Sequence, residues 1–339
     1  MGWVRTGCVA LVGVMLGGQA WAQRPPPGMR LIRAPWRQQL VAELPTGNAD
    51  GALGVHSGRD EERARGPSAI IAMPKGEVLI VDGEKDRAIV LKNKRIVRRS
   101  KLPIARTVSD AAHVGDGRVV LYDAKDAQLW MVDDRGGVER LLANRLKRFK
   151  GLRRIASGRV VVEEQDGSYE IDKRTLPRRA RSLIRPLTHV APPPPPPQRL
   201  KLTRMAHRRT ATRSGSTEVV MKRGTASLRS FAGARNQPTK EIEISPPAPG
   251  KLASVTHLST DKKRRTFVRI EMVSMKDGAI AVRRFVRVLD KDLKPLRTFE
   301  LPVDDVLIPD KDIDIDEDGN VFVMLPYVDR VKVLKYAAP

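Results

Sequence analysis

Gly76-Glu77-Val78-Leu79-Ile80-Val81-Asp82, Gly117-Arg118-Val119-Val120-Leu121-Tyr122-Asp123 and Gly158-Arg159-Val160-Val161-Val162 are one pattern written three times. The glycines stand 41 positions apart, and each opens a β-rich run. The pattern returns as Asp318-Gly319-Asn320-Val321-Phe322-Val323. A glycine turn between short apolar strands at a fixed period of roughly 40–50 residues indicates a radial β array, a propeller. The reading is an all-β chain built as a six-bladed β-propeller. The step from Gly158 to Gly319 is 161 residues, which four steps would also fill, so the spacing admits seven blades as well.

Outward from these turns the blades take shape. Blade one runs from about Pro67 to Pro103, with Ala69-Ile70-Ile71-Ala72 as its inner strand, and blade two from about Val108 to Leu142. Blade three starts near Leu152 and has Ser168–Asp172 as its third strand. A proline run, Pro192–Pro197, follows inside a Pro-rich insertion at 188–199. Proline lacks the N–H that a sheet interior needs, so this run reads as an extended spacer between blades three and four. Candidate strands of blade four are Leu200–Met205, Thr217–Met221, Ala226–Phe231 and Glu241–Ile244. Blade five holds Ala253–Leu258, Thr266–Val273, Ile280–Leu289 and Leu296–Leu301. Blade six has three strands, ending with Arg330–Leu334. Its fourth is expected from the N-terminal Gln38–Pro45, which alternates like an outer strand and would close the ring. Closure leaves only short, protected sheet edges. The propeller is thus expected over 38–336.

The first 22 residues read as a signal peptide. Arg5 is its basic start, Val9–Leu16 its apolar stretch, and Ala20-Trp21-Ala22 its cleavage site. A Pro-rich lead-in follows over 23–37. The apolar stretch is too short to span a bilayer, which takes about 20 residues. The expected product is exported to the periplasm or beyond, soluble, without a transmembrane segment or lipid anchor. The single cysteine, Cys8, falls in the signal, so disulfides and thiolate metal sites are not expected.

Net charge is +24. From Arg140 to Arg213 there are 20 basic and 5 acidic residues, so +15 of that charge lies in one stretch. Such asymmetry implies a basic surface and an anionic partner. The residues singled out are Arg148, Lys150, Arg153, Arg154, Arg178, Arg179, Arg181, Arg208 and Arg209; Lys262-Lys263-Arg264-Arg265 is a further cluster. Arginine forks pair well with phosphates and carboxylates. Basic and aromatic residues seldom interleave, which disfavours nucleic acid. An anionic envelope polymer or an acidic protein fits better.

Two segments carry a family resemblance. Gly66-Pro67-Ser68-Ala69-Ile70 through Asp86-Arg87-Ala88-Ile89-Val90-Leu91 resembles an NHL-type repeat. So does Asp312–Val323 followed by Asp329-Arg330-Val331-Lys332-Val333-Leu334. NHL-repeat proteins share a structural superfamily with the SMP-30/gluconolactonase-like lactonases. The resemblance implies the propeller fold, and for the lactonases a divalent cation in the central channel held partly by the glutamate of an early Glu-Gly-Pro. This chain has Arg65-Gly66-Pro67 at the nearest match, and arginine cannot ligate a cation.

Other candidate chemistry is sparse. Asp314, Asp316 and Asp318 match the start of a calcium loop, but positions nine and twelve would be Phe322 and Leu325. The alternative is a strand ending in an Asp-Gly turn. No cofactor is expected, and calcium is the one cation the motif admits. His113 and His257 sit near the ends of inner strands, where they would line the mouth of the channel. The sequence therefore reads as a non-enzymatic binding or scaffold propeller with a basic face. The rival is a metal-dependent, lactonase-like hydrolase with a channel site.

Overall fold

A computed structural model of the chain describes residues 37–56, 58, 64–141, 146, 148–155, 158–164, 167–171, 176, 203–205, 216–222, 225–231, 238–276, 278–303, 307 and 309–338. Gly76, Gly117, Gly158 and Gly319 have φ of 73°, 71°, 75° and 84°. That left-handed region costs glycine least, because it has no Cβ. A Cβ on Gly117 would lie 2.8 Å from that of Asp134, and one on Gly319 2.3 Å from the Arg265 guanidinium. Gly117 and Gly319 are thus required by close packing as well as by φ, while at Gly76 and Gly158 the φ alone favours glycine.

The strands group into six sheets. An N-terminal strand, β1 (Arg37–Pro45), precedes blade one, which is β2 (Ala69–Ala72), β3 (Val78–Asp82), β4 (Arg87–Lys92) and β5 (Arg95–Lys101). Blade two is β6 (Val108–Gly115), β7 (Arg118–Asp123), β8 (Gln128–Val132) and β9 (Val138–Arg140). Blade three is β10 (Phe149–Arg154), β11 (Val160–Glu164), β12 (Gly167–Ile171) and β13 (Thr203–Met205). Blade four has three described strands, β14 (Ser216–Lys222), β15 (Thr225–Phe231) and β16 (Lys240–Glu243). Blade five is β17 (Lys251–Thr260), β18 (Thr266–Lys276), β19 (Ala279–Leu289) and β20 (Pro295–Leu301). Blade six is β21 (Ile313–Ile315), β22 (Val321–Pro326), β23 (Arg330–Ala337) and, on its outer edge, β1.

β1 closes the ring as its alternation predicts. It runs antiparallel to β23, with Leu44 opposite Val331 and Ala42 opposite Val333. Six sheets settle the count that the spacing left open between six and seven. One strand assignment is corrected. Thr203–Met205 pairs with β12 and completes blade three, so Leu200–Met205 does not open blade four. The proline run therefore falls in the connection from the third to the fourth strand of one blade. Sequence order placed it between blades because proline forbids pairing within the run but says nothing about which strands pair on either side. The run itself, the signal segment and the lead-in lie outside the described residues.

The core lies between blades. Along β3, Leu79 and Val81 pack toward blade two, while Val78 and Ile80 pack toward blade six. Period-two alternation thus feeds two cores from one strand. Burying such side chains contributes about 1.5–3 kcal/mol each. Val, Ile and Leu dominate, with Phe267 and Phe322 the largest fully buried side chains.

Antiparallel pairing gives the ring two unlike ends. The inner strands finish at one end, in the turns after β2, β6, β10, β17 and β21. The connections between third and fourth strands emerge at that same end, here called the turn end.

Candidate functional site: the ring axis and its ends

Two layers of the chain's own side chains cross the axis. In the first, the Lys311 ammonium lies 3.2 Å from Asp110 and 3.6 Å from Asp314, and also donates to the Ala111 carbonyl. Asp110 accepts in turn from the Leu152 amide at 2.6 Å, and Asp314 from the Ala72 amide at 2.8 Å. One cation thereby links inner strands of blades six, two, three and one. Burial works against its charge, but the Asp314 and Asp110 carboxylates outweigh burial and hold the Lys311 pKa above its ordinary value.

The second layer lies toward the turn end. Arg153 pairs with Glu163 and meets His257 Nδ1 at 2.6 Å. Arg154 donates to the Ile315 carbonyl, and its own carbonyl accepts from Ser259 Oγ at 3.2 Å. Blade three thus reaches blades five and six across the ring. A guanidinium can only donate, so His257 Nδ1 accepts, and its Nε2–H faces the Ser259 carbonyl at 3.2 Å. Burial first, and then the Arg153 charge, push the His257 pKa down to about 3. His113 is 1% exposed, and neither ring nitrogen has a hydrogen-bond partner among the described residues. Burial, followed by the Arg154 charge, lowers its pKa to about 4. Both histidines sit on inner strands, His257 engaged by Arg153 and Ser259 and His113 enclosed in the interior.

Arg153 and Arg154 correct the expected basic face. Arg154 is buried at 6% exposure and Arg153 is ion-paired, because inner-strand residues late in β10 point to the axis. Arg148 and Lys150, at the start of β10, are exposed at the opposite end of the ring. Arg178, Arg179, Arg181, Arg208 and Arg209 lie outside the described residues.

Two of the three candidate metal ligands, Asp314 and Asp316, have their carboxylates engaged elsewhere. Asp316 Oδ1 accepts from the amides of Asp318 at 3.0 Å and Asn320 at 2.8 Å, and Oδ2 from the Asn320 side chain at 2.6 Å. The same turn recurs without calcium-loop sequence. Asp133 accepts from the Arg135 and Gly137 amides, and Asp290 from those of Asp292 and Lys294. Asp-x-Asp-Gly-Asn is here a hairpin device, an Asp carboxylate satisfying turn amides. Asp318 is exposed and its carbonyl accepts from Arg265, while Asp314 is held by Lys311 and Ala72. Among the described residues no group of three or more His, Cys, Asp or Glu is placed to hold a metal ion. Arg65 pairs through its backbone with His56, and its side chain is exposed.

Exposed cations outnumber exposed carboxylates at the turn end more than at the other. Lys75, Lys94, Arg135, Lys262, Lys263, Arg264, Lys291 and Lys294 are exposed in turn-end connections, beside Asp116, Asp134 and Asp318. Lys262 pairs with Glu317 at 2.5 Å. Loops at the opposite end expose Asp50, Asp126, Asp310 and Asp329 alongside their cations. Apart from 262–264 and the pair Lys291 and Lys294, the turn-end cations come one per turn. A search for basic runs passes over them; the available signal was a cation beside each periodic turn.

No protein-family model matches the chain, and no curated protein matches it. Among solved structures, it is similar to a catalytically inactive virginiamycin B lyase from Staphylococcus aureus with quinupristin, at 12% identity and TM-score 0.46, covering 88% of this chain and 100% of that one. It is also similar to a gluconolactonase from Xanthomonas campestris, at 10% identity and TM-score 0.43, over 93% and 99% of the two chains. A PQQ-bound aldose sugar dehydrogenase from Streptomyces coelicolor matches at 10% identity and TM-score 0.43, over 88% and 97%. The six-bladed fold stands on the sheets themselves. Among the described residues no helix is long and apolar enough to cross a membrane.

Proposed function

We propose that this chain is an exported, non-enzymatic binding propeller whose turn end engages an anionic envelope polymer or an acidic protein. The observation that carries this reading is the excess of exposed cations over exposed carboxylates at the turn end. Cations from blades one, two and five share one end of the ring. The β12–β13 connection, 172–202, leaves from that end with Lys173, Arg174, Arg178, Arg179 and Arg181 in its sequence. Many cations held on one rigid surface raise the local concentration of an anionic partner. The axis supports the reading from the other side. There the Asp110, Asp314 and Glu163 carboxylates are already paired with Lys311 and Arg153, which leaves them engaged where a lactonase-like site needs ligands for a cation.

The test is binding of a polyanion, poly-glutamate as probe, by the wild type and by a Lys75→Glu, Lys263→Glu, Arg264→Glu variant. The expected result is binding that falls with salt and drops at least tenfold in the variant. Equal affinity with an intact fold would remove the turn end from the account.

A further inference from the structure

Glu317 sets a carboxylate among the cations of the turn end. It lies in the turn after β21, with its side chain 26% exposed. Its Oε2 accepts from the Lys262 ammonium at 2.5 Å, and Lys262, in the turn after β17, is 61% exposed. The two turns are also joined through backbone, the Lys262 amide donating to the Glu317 carbonyl at 3.1 Å. Burial works against the Glu317 charge, but the hydrogen bond and charge of Lys262, with the Arg154 charge behind them, outweigh it and hold the carboxyl below its ordinary range. Cations from blades three and five thus act on one carboxylate of blade six. Lys263 and Arg264 stand exposed in the same turn as Lys262.

An anionic partner brought to this end needs the contact that Glu317 already makes. We propose that Glu317 is an internal competitor at the turn end: its carboxylate holds Lys262 until a carboxylate of the partner displaces it. This rests on the reading of the turn end as a polyanion surface and adds a switch to it. The fold permits the exchange. The backbone bond keeps both turns in place, so displacement asks only for rotation of the Glu317 side chain about its own bonds. An exposed ion pair is weak, so swapping one carboxylate for another on Lys262 is close to balanced. Valence tips the balance. A chain of carboxylates that also meets Lys263 and Arg264 presents its next carboxylate to Lys262 at high effective concentration.

Poly-glutamate binding at an ionic strength of about 0.15 M, where distant charges are screened, tests the proposal. Glu317→Gln should bind about threefold tighter than the wild type, the scale of one exposed pair released. Asp134→Asn removes the same charge from another exposed turn-end residue and is the control, expected to change affinity by less than about 1.5-fold. Lys262→Gln should cost little while Glu317 is present, and about threefold in the Glu317→Gln background. Equal gains in Glu317→Gln and Asp134→Asn would assign the effect to net charge and overturn the proposal. So would an equal Lys262→Gln loss in both backgrounds. A wild type that binds while Glu317→Gln binds no tighter overturns this inference alone. Binding by neither protein removes the polyanion reading of the turn end together with it.

Discussion

Replacing Lys311 by Met tests whether the axis is tied by its own charges. The ammonium is mostly buried, with 15% of the side chain exposed, and lies between two carboxylates whose side chains are 20% and 15% exposed. Removing one partner of a buried pair costs about 3–5 kcal/mol, because the remaining charge stays desolvated and unpaired. Here the orphaned carboxylates keep other donors. Asp110 retains the Leu152 amide at 2.6 Å and the Ala111 amide at 2.7 Å, and Asp314 retains the Ala72 amide at 2.8 Å. The expected loss is therefore at the lower end, about 3 kcal/mol. Urea unfolding at pH 7, with the midpoint shift multiplied by a common slope, reads it out. Asp110→Asn in both backgrounds completes a double-mutant cycle, expected to give a coupling of at least about 1 kcal/mol. The linkage has a definite sign. A lysine whose folded pKa is raised contributes stability that is fully present below its unfolded value of 10.5 and is lost as pH climbs through the folded value. The wild-type advantage over Lys311→Met should thus persist through neutral pH and fade only above 10.5. A loss under about 1 kcal/mol, with no coupling to Asp110, would refute the idea that this cation holds the inner strands together.

Three further outcomes are expected. His113 and His257 have folded pKa values of about 4 and about 3, below the ordinary 6.5, so the unfolded chain binds more protons and stability falls as pH drops below 6.5. His113→Leu should flatten the acid loss between pH 6.5 and 4 by on the order of 2 kcal/mol; an unchanged acid slope would mean His113 is not held neutral. Asp316→Ala should cost about 1–3 kcal/mol by stranding turn donors, whereas neither calcium nor a chelator should move the wild-type melting temperature; a chelator-induced drop would restore the calcium reading. Gly319→Ala should destabilise by more than about 1 kcal/mol, since φ is +84° and the new methyl meets Arg265 and Asp261; thermal unfolding reads it, and a neutral result would show that the turn relaxes freely.

Much of the architecture is legible in the chain because it is local. Gly76, Gly117 and Gly158 mark tight turns whose positive φ favours glycine, and the runs after them alternate to serve two cores at once. Gln38–Pro45 shows its role by the same logic, an outer-strand pattern with no inner strand before it, and β1 pairs with β23 as that pattern requires. The candidate site was far less legible. Arg153 and Arg154 look like any basic run, yet their partners His257 and Ile315 lie 104 and 161 residues away. Asp316 looked like a ligand because an Asp-rich turn and a calcium loop begin with the same residues; only the amides around it distinguish them.

The sequence alone determined that this chain is a propeller of short strands, where its repeating turns fall, and that it carries a large excess of positive charge. These follow from periodicity, backbone stereochemistry and composition, each decided within a few residues. Only the tertiary structure decided that the ring has six blades, which strand completes blade three, and which cations are buried as ties across the axis and which stand exposed at one end. Closing a ring brings together side chains that are distant in the chain, and a charge becomes a surface or a strut according to what that closure sets beside it.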